Sequence, residues 1–167
     1  MTDMVTIRRL KADDMNLWKE IRQAALEFAP RAFGRTLASH HLLSDSDHAA
    51  RLSETAVFGA FSGDDIVGSA SWYAVDFVTE THRGKINSVF VRPDRQGHGV
   101  ADALFDAVLA DARGKVLQLE LTVSVGFPRS LAFYHRRGFE ITGTTPRALC
   151  HDGIFSAEHA MMLRLDA

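Results

Sequence analysis

The chain has 167 residues, of which 46% are hydrophobic and 24% charged, with a net charge of −2 and one cysteine. This length supports one domain with a real core, here residues 1–167; the charge argues against a nucleic-acid partner, and one cysteine excludes an internal disulfide. No apolar run approaches membrane-spanning length, and residues 1–14 lack the basic, then apolar, then small layout of a secretion signal, so the chain is expected in the cytoplasm, away from membranes.

The pattern predicts a first strand over residues 5–10. A helix follows, with Asp13 or Asp14 as its cap and Leu17, Trp18, Ile21, Ala25 and Phe28 at helical spacing; Pro30 ends it. Residues 31–48 have no clear period and are expected to cover a substrate, with a short helix over 47–54. Residues 57–61 and 66–75 are β-rich runs separated by Ser62, Gly63, Asp64 and Asp65, which reads as a hairpin. Residues 76–83 connect to a strand at 85–91.

Beyond that strand come an Arg92-Pro93 turn, then Gly97 and Gly99 bracketing His98, then a helix to Arg113 with Val100, Leu104 and Val108 on one stripe. Gly114 stands where a helix-terminating glycine belongs. Residues 116–125 alternate Leu117, Leu119, Leu121 and Val123 with polar residues, the signature of a strand covered on one face. Pro128 opens another helix, Gly138 ends it, and residues 139–142 and 160–165 supply the last strands.

The segment from residue 89 to 105 carries the chemistry. A helix start has unpaired backbone N–H groups and the positive end of the helix dipole, which together hold a phosphate or pyrophosphate. Gly97 and Gly99 lack a Cβ and allow the backbone of residues 97–101 to approach an anion, His98 contributing only its N–H. A kinase-type phosphate loop needs Lys and then Ser or Thr after the last glycine, where Val100 and Ala101 stand. A dinucleotide loop needs a third glycine, which is absent.

Gln96, Gly99 and Ala101 instead match the pattern Gln or Arg, two residues, Gly, one residue, Gly or Ala. This segment resembles the acyl-CoA loop of the GNAT superfamily of N-acetyltransferases, as do the hydrophobic strand ending in Val91, Arg92-Pro93 and Leu104. Residues 130–143, with Phe133-Tyr134 and the Gly138-Phe139 exit, resemble the C-terminal helix of that family. An Ala32-Phe33-Gly34 segment after the first helix occurs in some members. The resemblance implies an α/β, single-domain GNAT-like fold: a central mixed, mostly antiparallel sheet flanked by helices. It implies acetyl-CoA as acyl donor, held by Val89, Phe90, Val91, Gln96, Gly97, His98, Gly99, Val100, Ala101 and Tyr134. It is also compatible with a homodimer.

Acyl transfer to an amine requires a neutral nucleophile, yet a lysine-like amine of pKa about 10.4 is mostly protonated at neutral pH, so its proton must be accepted. The tetrahedral intermediate needs hydrogen-bond donors, and the departing thiolate is helped by an acid. The resemblance gives Tyr134 that acidic role. The family's usual glutamates are missing: Lys85 and Asn87 stand in the strand before the loop and Thr122 in the strand after it. Phe127 replaces an Asn often found seven residues before the tyrosine. Glu80 and His82 are the first candidates for the base, with Glu120, Glu158 or an ordered water behind them.

Arg92, Arg95, Arg136 and Arg137 are candidates for the phosphates of CoA. The spacing of His40, His41, Asp45, Asp47 and His48 matches no zinc pattern, so no metal is expected. His151 points away from Cys150 on an extended chain, which argues against an acyl-cysteine and for direct transfer. Trp18 and Trp72 are assigned to the core. The acceptor pocket is expected from residues 28–48, 76–83 and 144–156, where acidic residues favour cationic amines. Two other classes remain open: a non-catalytic acyl-CoA sensor, and an interaction protein in which the glycine loop serves only as a turn.

Overall fold

The structure is a computed structural model describing residues 4–167, and it forms two compact units. One comprises residues up to 73 together with 86–113; the other comprises residues 74–85 and 114–167.

The first unit carries β1 (Thr6–Arg9), α1 (Met15–Phe28), α2 (Leu37–His41), α3 (Asp45–Glu54), β2 (Ala56–Ser62) and most of β3 (Asp65–Ala74). It also holds the C-terminal two-thirds of β4 (Arg83–Val91) and all of α4 (Val100–Ala112). Its strand order is β1-β2-β3-β4, with β1 and β3 antiparallel to β2. Trp18, Ile21 and Ala25 of α1 pack with Leu10, Leu52, Val57, Phe61, Ile66 and Phe90 into one core. Each large side chain fully buried in this way contributes about 1.5–3 kcal/mol. On α4, Val100, Leu104, Phe105, Val108 and Ala112 are buried, as their spacing predicts. Gly68 on β3 lets this helix come close: a Cβ there would stand 3.0 Å from the Phe90 carbonyl oxygen and 3.2 Å from Leu104 Cδ1.

The second unit holds the start of β4, β5 (Gln118–Ser124), α5 (Pro128–Arg136), β6 (Glu140–His151) and β7 (Ile154–Arg164), in the strand order β4-β5-β7-β6. Arg83–Lys85 of β4 runs parallel to Gln118–Glu120, whereas β7 is antiparallel to both β5 and β6. Leu119, Leu121 and Val123 are buried, as the alternation predicts, while Leu117 lies outside the strand and is exposed.

Several expectations need correction. Asp14 does not cap α1 with its side chain; its carboxylate accepts from the Lys11 N–H at 2.8 Å and pairs with Arg8. Phe28 is 56% exposed although it falls at the stripe's spacing. The stretch before residue 47 contains two helix starts, capped by Thr36 and Ser44, whose hydroxyls accept from the N–H groups of Ser39 and Asp47. Residues 144–156 belong to a long β6–β7 hairpin turned by Asp152 and Gly153, both at positive φ. Cys150 lies exposed on β6, and both tryptophans are buried.

Candidate active site

The first unit contains the glycine loop. Pro93–Arg95 makes a 3-10 turn after β4, and Gln96 reaches back to donate from Nε2 to the Val91 carbonyl at 3.1 Å, which ties the start of the loop to the strand. Gly97 and Gly99 both lie in the left-handed region, at φ 78° and 79°, and no atom stands within 4 Å of where a Cβ would be. Gly99 is the N-cap of α4 and offers no side-chain acceptor. The N-cap therefore supplies no side-chain acceptor to the first-turn N–H groups of the helix, and the space beside it is open. This arrangement fits the pyrophosphate of an acyl-CoA: the anion would take the place of a capping side chain, and the space a Cβ would fill is empty. His98 is exposed, Val100 is buried in the helix stripe, and Ala101 is half-buried. Phe90 and Val91 have buried side chains and Val89 a half-buried one, so the strand offers a ligand chiefly its backbone.

Just before that segment, Ser88 adopts φ 55°, a strained conformation for a residue with a side chain. Its neighbour Asn87 accepts at Oδ1 from the Ser71 hydroxyl and from Arg51 Nη2, the latter at 2.8 Å. Ser69 donates to the Ser88 carbonyl at 2.9 Å. These bonds hold the irregularity in place.

Tyr134 lies in the second unit on α5, buried, with its ring edge-on to Phe133 at 5.5 Å and Phe139 at 6.1 Å. Burial pushes its phenol well above the ordinary tyrosine range, so it carries its proton throughout the neutral and mildly alkaline range.

The same unit brings two of the base candidates onto one cation. Arg83 binds Glu120 through two bonds, at 2.6 and 2.7 Å, and Glu80 at 2.9 Å; Gln118 also donates to Glu120. The hydrogen bonds from Arg83 hold the Glu120 carboxyl below its ordinary range, which makes it a poorer base. His82 is exposed, and its carbonyl accepts from the Leu117 and Gln118 N–H groups. Glu158 sits on β7 opposite Ser124 and Thr145.

Among the arginines considered for CoA phosphates, Arg92 is tied to the Ile66 carbonyl and to Glu20, and Arg95 lies 3.7 Å from Asp94. Arg136 stacks over Phe133. The acids of residues 28–48 are occupied as well: Asp45 pairs with Lys19 at 3.0 Å, and Asp47 closes the cap of α3. His40 and His48 are buried ring to ring at 5.2 Å. Among the described residues, no group of three or more His, Cys, Asp or Glu is placed to hold a metal. No helix among them is long and apolar enough to cross a membrane.

Sequence reasoning missed the cationic side of this region. Arg22 of α1 is only 7% exposed, packed against Trp18 and Phe33, and its Nη1 has no hydrogen-bond partner among the described residues. The available signal was its position four residues after Trp18 and one after Ile21, within the apolar stripe.

The fold is that of acetyltransferases. The structure of yncA from Salmonella typhimurium with its cofactor acetyl-CoA superposes with a TM-score of 0.84 at 20% identity, covering 98% of this chain and 95% of that one. Ribosomal-protein-alanine N-acetyltransferase from Brucella melitensis superposes with a TM-score of 0.80 at 24% identity, covering 96% of this chain and 99% of that one. In sequence, the L-methionine sulfoximine/L-methionine sulfone acetyltransferases of Pseudomonas aeruginosa and Pseudomonas paraeruginosa are each 30% identical over 122 residues, 72% of this chain and 70% of each relative. The model of the acetyltransferase (GNAT) family matches residues 18–139, and the chain belongs to that family of N-acetyltransferases.

Proposed function

We propose that the chain transfers an acetyl group from acetyl-CoA directly to the primary amine of a small molecule, an amino acid or a peptide N-terminus. The observation that carries this reading is the loop at Gly97 and Gly99: two left-handed glycines opening a helix whose N-cap has no side chain to satisfy it. The relatives that act on L-methionine sulfoximine and L-methionine sulfone support an amine acceptor.

In this reading the N–H groups of residues 97–101 and the backbone of Val89–Val91 hold the coenzyme, and Gln96 fixes the loop to the strand. Acetyl-CoA supplies the acyl group already activated as a thioester. Tyr134 holds a proton at its phenol oxygen for the departing sulfur. Because its pKa is raised above the usual 10, while a thiol titrates near 8.5, it acts as a hydrogen-bond donor to developing charge more than as a full proton donor. The amine's proton goes to His82 or a relayed water in preference to Glu80 or Glu120, since Arg83 holds both carboxylates. That same occupation favours a second reading, a non-catalytic acyl-CoA-binding module. The exposed Cys150 has no part in direct transfer.

Thermal unfolding with and without saturating acetyl-CoA, with NAD and ATP as controls, tests the shared premise. A ligand at 100 times its Kd stabilises by about 2.7 kcal/mol. Selective stabilisation by acetyl-CoA is expected; its absence in folded, CoA-free protein rejects both readings and favours an interaction protein.

A further inference from the structure

We propose that Arg51, Arg35 and the buried Arg22 form a carboxylate-reading subsite, making the acceptor a free α-amino acid in preference to a peptide N-terminus or a polycation. The inference rests on the acetyltransferase reading and narrows its substrate.

Three observations in the first unit converge. First, these three arginines have no directly paired carboxylate among the described residues. Asp14, Glu20, Asp45 and Asp47 are committed to Arg8, Arg92, Lys19 and the α3 cap. Among the described residues, none of Arg22, Arg35 and Arg51 forms an ion pair. Glu54, one helical turn from Arg51, attracts that arginine, and Asp47 attracts Arg35, only at longer range.

Second, Arg22 is more than nine-tenths buried under Trp18 and Phe33, with Nη1 left without an acceptor. A buried guanidinium without a partner is costly, and a bound anion offsets that cost. Burial and the charges of Arg51 and Arg35 lower its pKa to about 10, so it is still a cation at neutral pH. Phe33, which covers it, lies on the irregular segment between α1 and α2, where Arg35 also sits.

Third, Arg51 is part-buried on α3, which packs against α1, and is anchored through Nη2 alone: to Asn87 Oδ1 at 2.8 Å and more distantly to Ser88 Oγ. The rest of its fork remains for bidentate recognition of a carboxylate. Asn87 and Ser88 directly precede Val89–Val91, the segment assigned to the acyl donor. An amine and a carboxylate on one carbon suit a carboxylate subsite bordering the reacting strand; in a peptide N-terminus that carboxylate has become an amide. This reverses the preference for cationic acceptors that composition alone suggested.

The test uses L-methionine sulfone and the proteinogenic L-amino acids, each beside its own α-amide, in a CoA-release assay with the intact chain. For the best acid, kcat/KM should exceed that of its amide by about tenfold or more, and Arg51→Gln should raise KM for the acid by about tenfold more than it does for the amide. Arg35→Gln, at an exposed position, should move KM the same way to a smaller extent and serves if Arg51→Gln does not fold. Equal rates for acids and amides, or equal losses for both in the variants, overturn the subsite. If no amine releases CoA, the transfer reading fails separately, and thermal shifts then decide. Stabilisation by an acid but not its amide, lost in Arg51→Gln, upholds the subsite, whereas no acid-selective stabilisation rejects it.

Discussion

Gly99→Asp separates a phosphate-binding loop from an ordinary turn, because it affects the two oppositely. Gly99 sits at φ 79°, where aspartate is among the better-tolerated residues, and open space surrounds its Cβ position. A carboxylate at a helix N-terminus gains about 0.3–1 kcal/mol from the dipole, which offsets much of the left-handed strain. The unliganded variant should therefore melt within a few degrees of the parent. A pyrophosphate held by the same N–H groups would meet the new charge at about 5 Å. Taking one unit charge on each side and an effective dielectric of about 20, that repulsion is about 3 kcal/mol, or roughly 150-fold in Kd. Acetyl-CoA at 100 times the parent's Kd stabilises the parent by about 2.7 kcal/mol and the variant by about 0.3. For a domain of this size these correspond to melting shifts of about 5–11 °C and about 1 °C. Differential scanning fluorimetry with and without acetyl-CoA reads both numbers. A variant that keeps the full acetyl-CoA shift would refute the assignment of the pyrophosphate to this helix start.

Tyr134→Phe keeps the ring between Phe133 and Phe139 and removes only the hydroxyl, so turnover should fall about 100-fold or more with acetyl-CoA affinity retained; unchanged turnover removes Tyr134 from the mechanism. Because the folded phenol titrates above the unfolded one, the parent should also lose stability as pH rises past about 10, and Tyr134→Phe should lose less, as alkaline melts will show. Glu120 titrates lower in the folded state than unfolded, so its contribution is complete above the unfolded value of about 4.3 and fades as pH falls through the lower folded one. Arg83→Gln should cost about 1 kcal/mol at pH 7 and flatten the acid limb of a melting-temperature profile; an unchanged limb contradicts the pairing. Gly68→Ala forces a methyl against the Phe90 carbonyl and Leu104, so chemical denaturation should show a loss of about 1–3 kcal/mol, whereas a neutral effect would mean that α4 moves freely against β3.

Local rules reached most of the fold. The glycine loop, the α4 stripe, the β2–β3 hairpin and the Pro128 helix start each depend on residues within a few positions of one another. Helix α2 was missed because five residues give too little periodicity, although its Thr36 cap was present. Nearly all of β6 is exposed, so no alternation marked it, and the Asp152-Gly153 turn was passed over. The site divided in the same way. The loop residues were legible, but the capture of Glu80 and Glu120 by Arg83 joins residues up to 37 positions apart, which spacing does not reveal. Arg22 was hidden for a different reason: an arginine beside an apolar stripe usually carries its charge out to water, and only packing shows that this one does not.

The most direct test of the account is to incubate the protein with acetyl-CoA and a panel of amines, following thiol release and the mass of the product. The account predicts release that requires an amine and a product bearing one acetyl group on nitrogen. Acetyl-CoA that binds yet releases no CoA with any amine would contradict catalysis and leave an acyl-CoA-binding module.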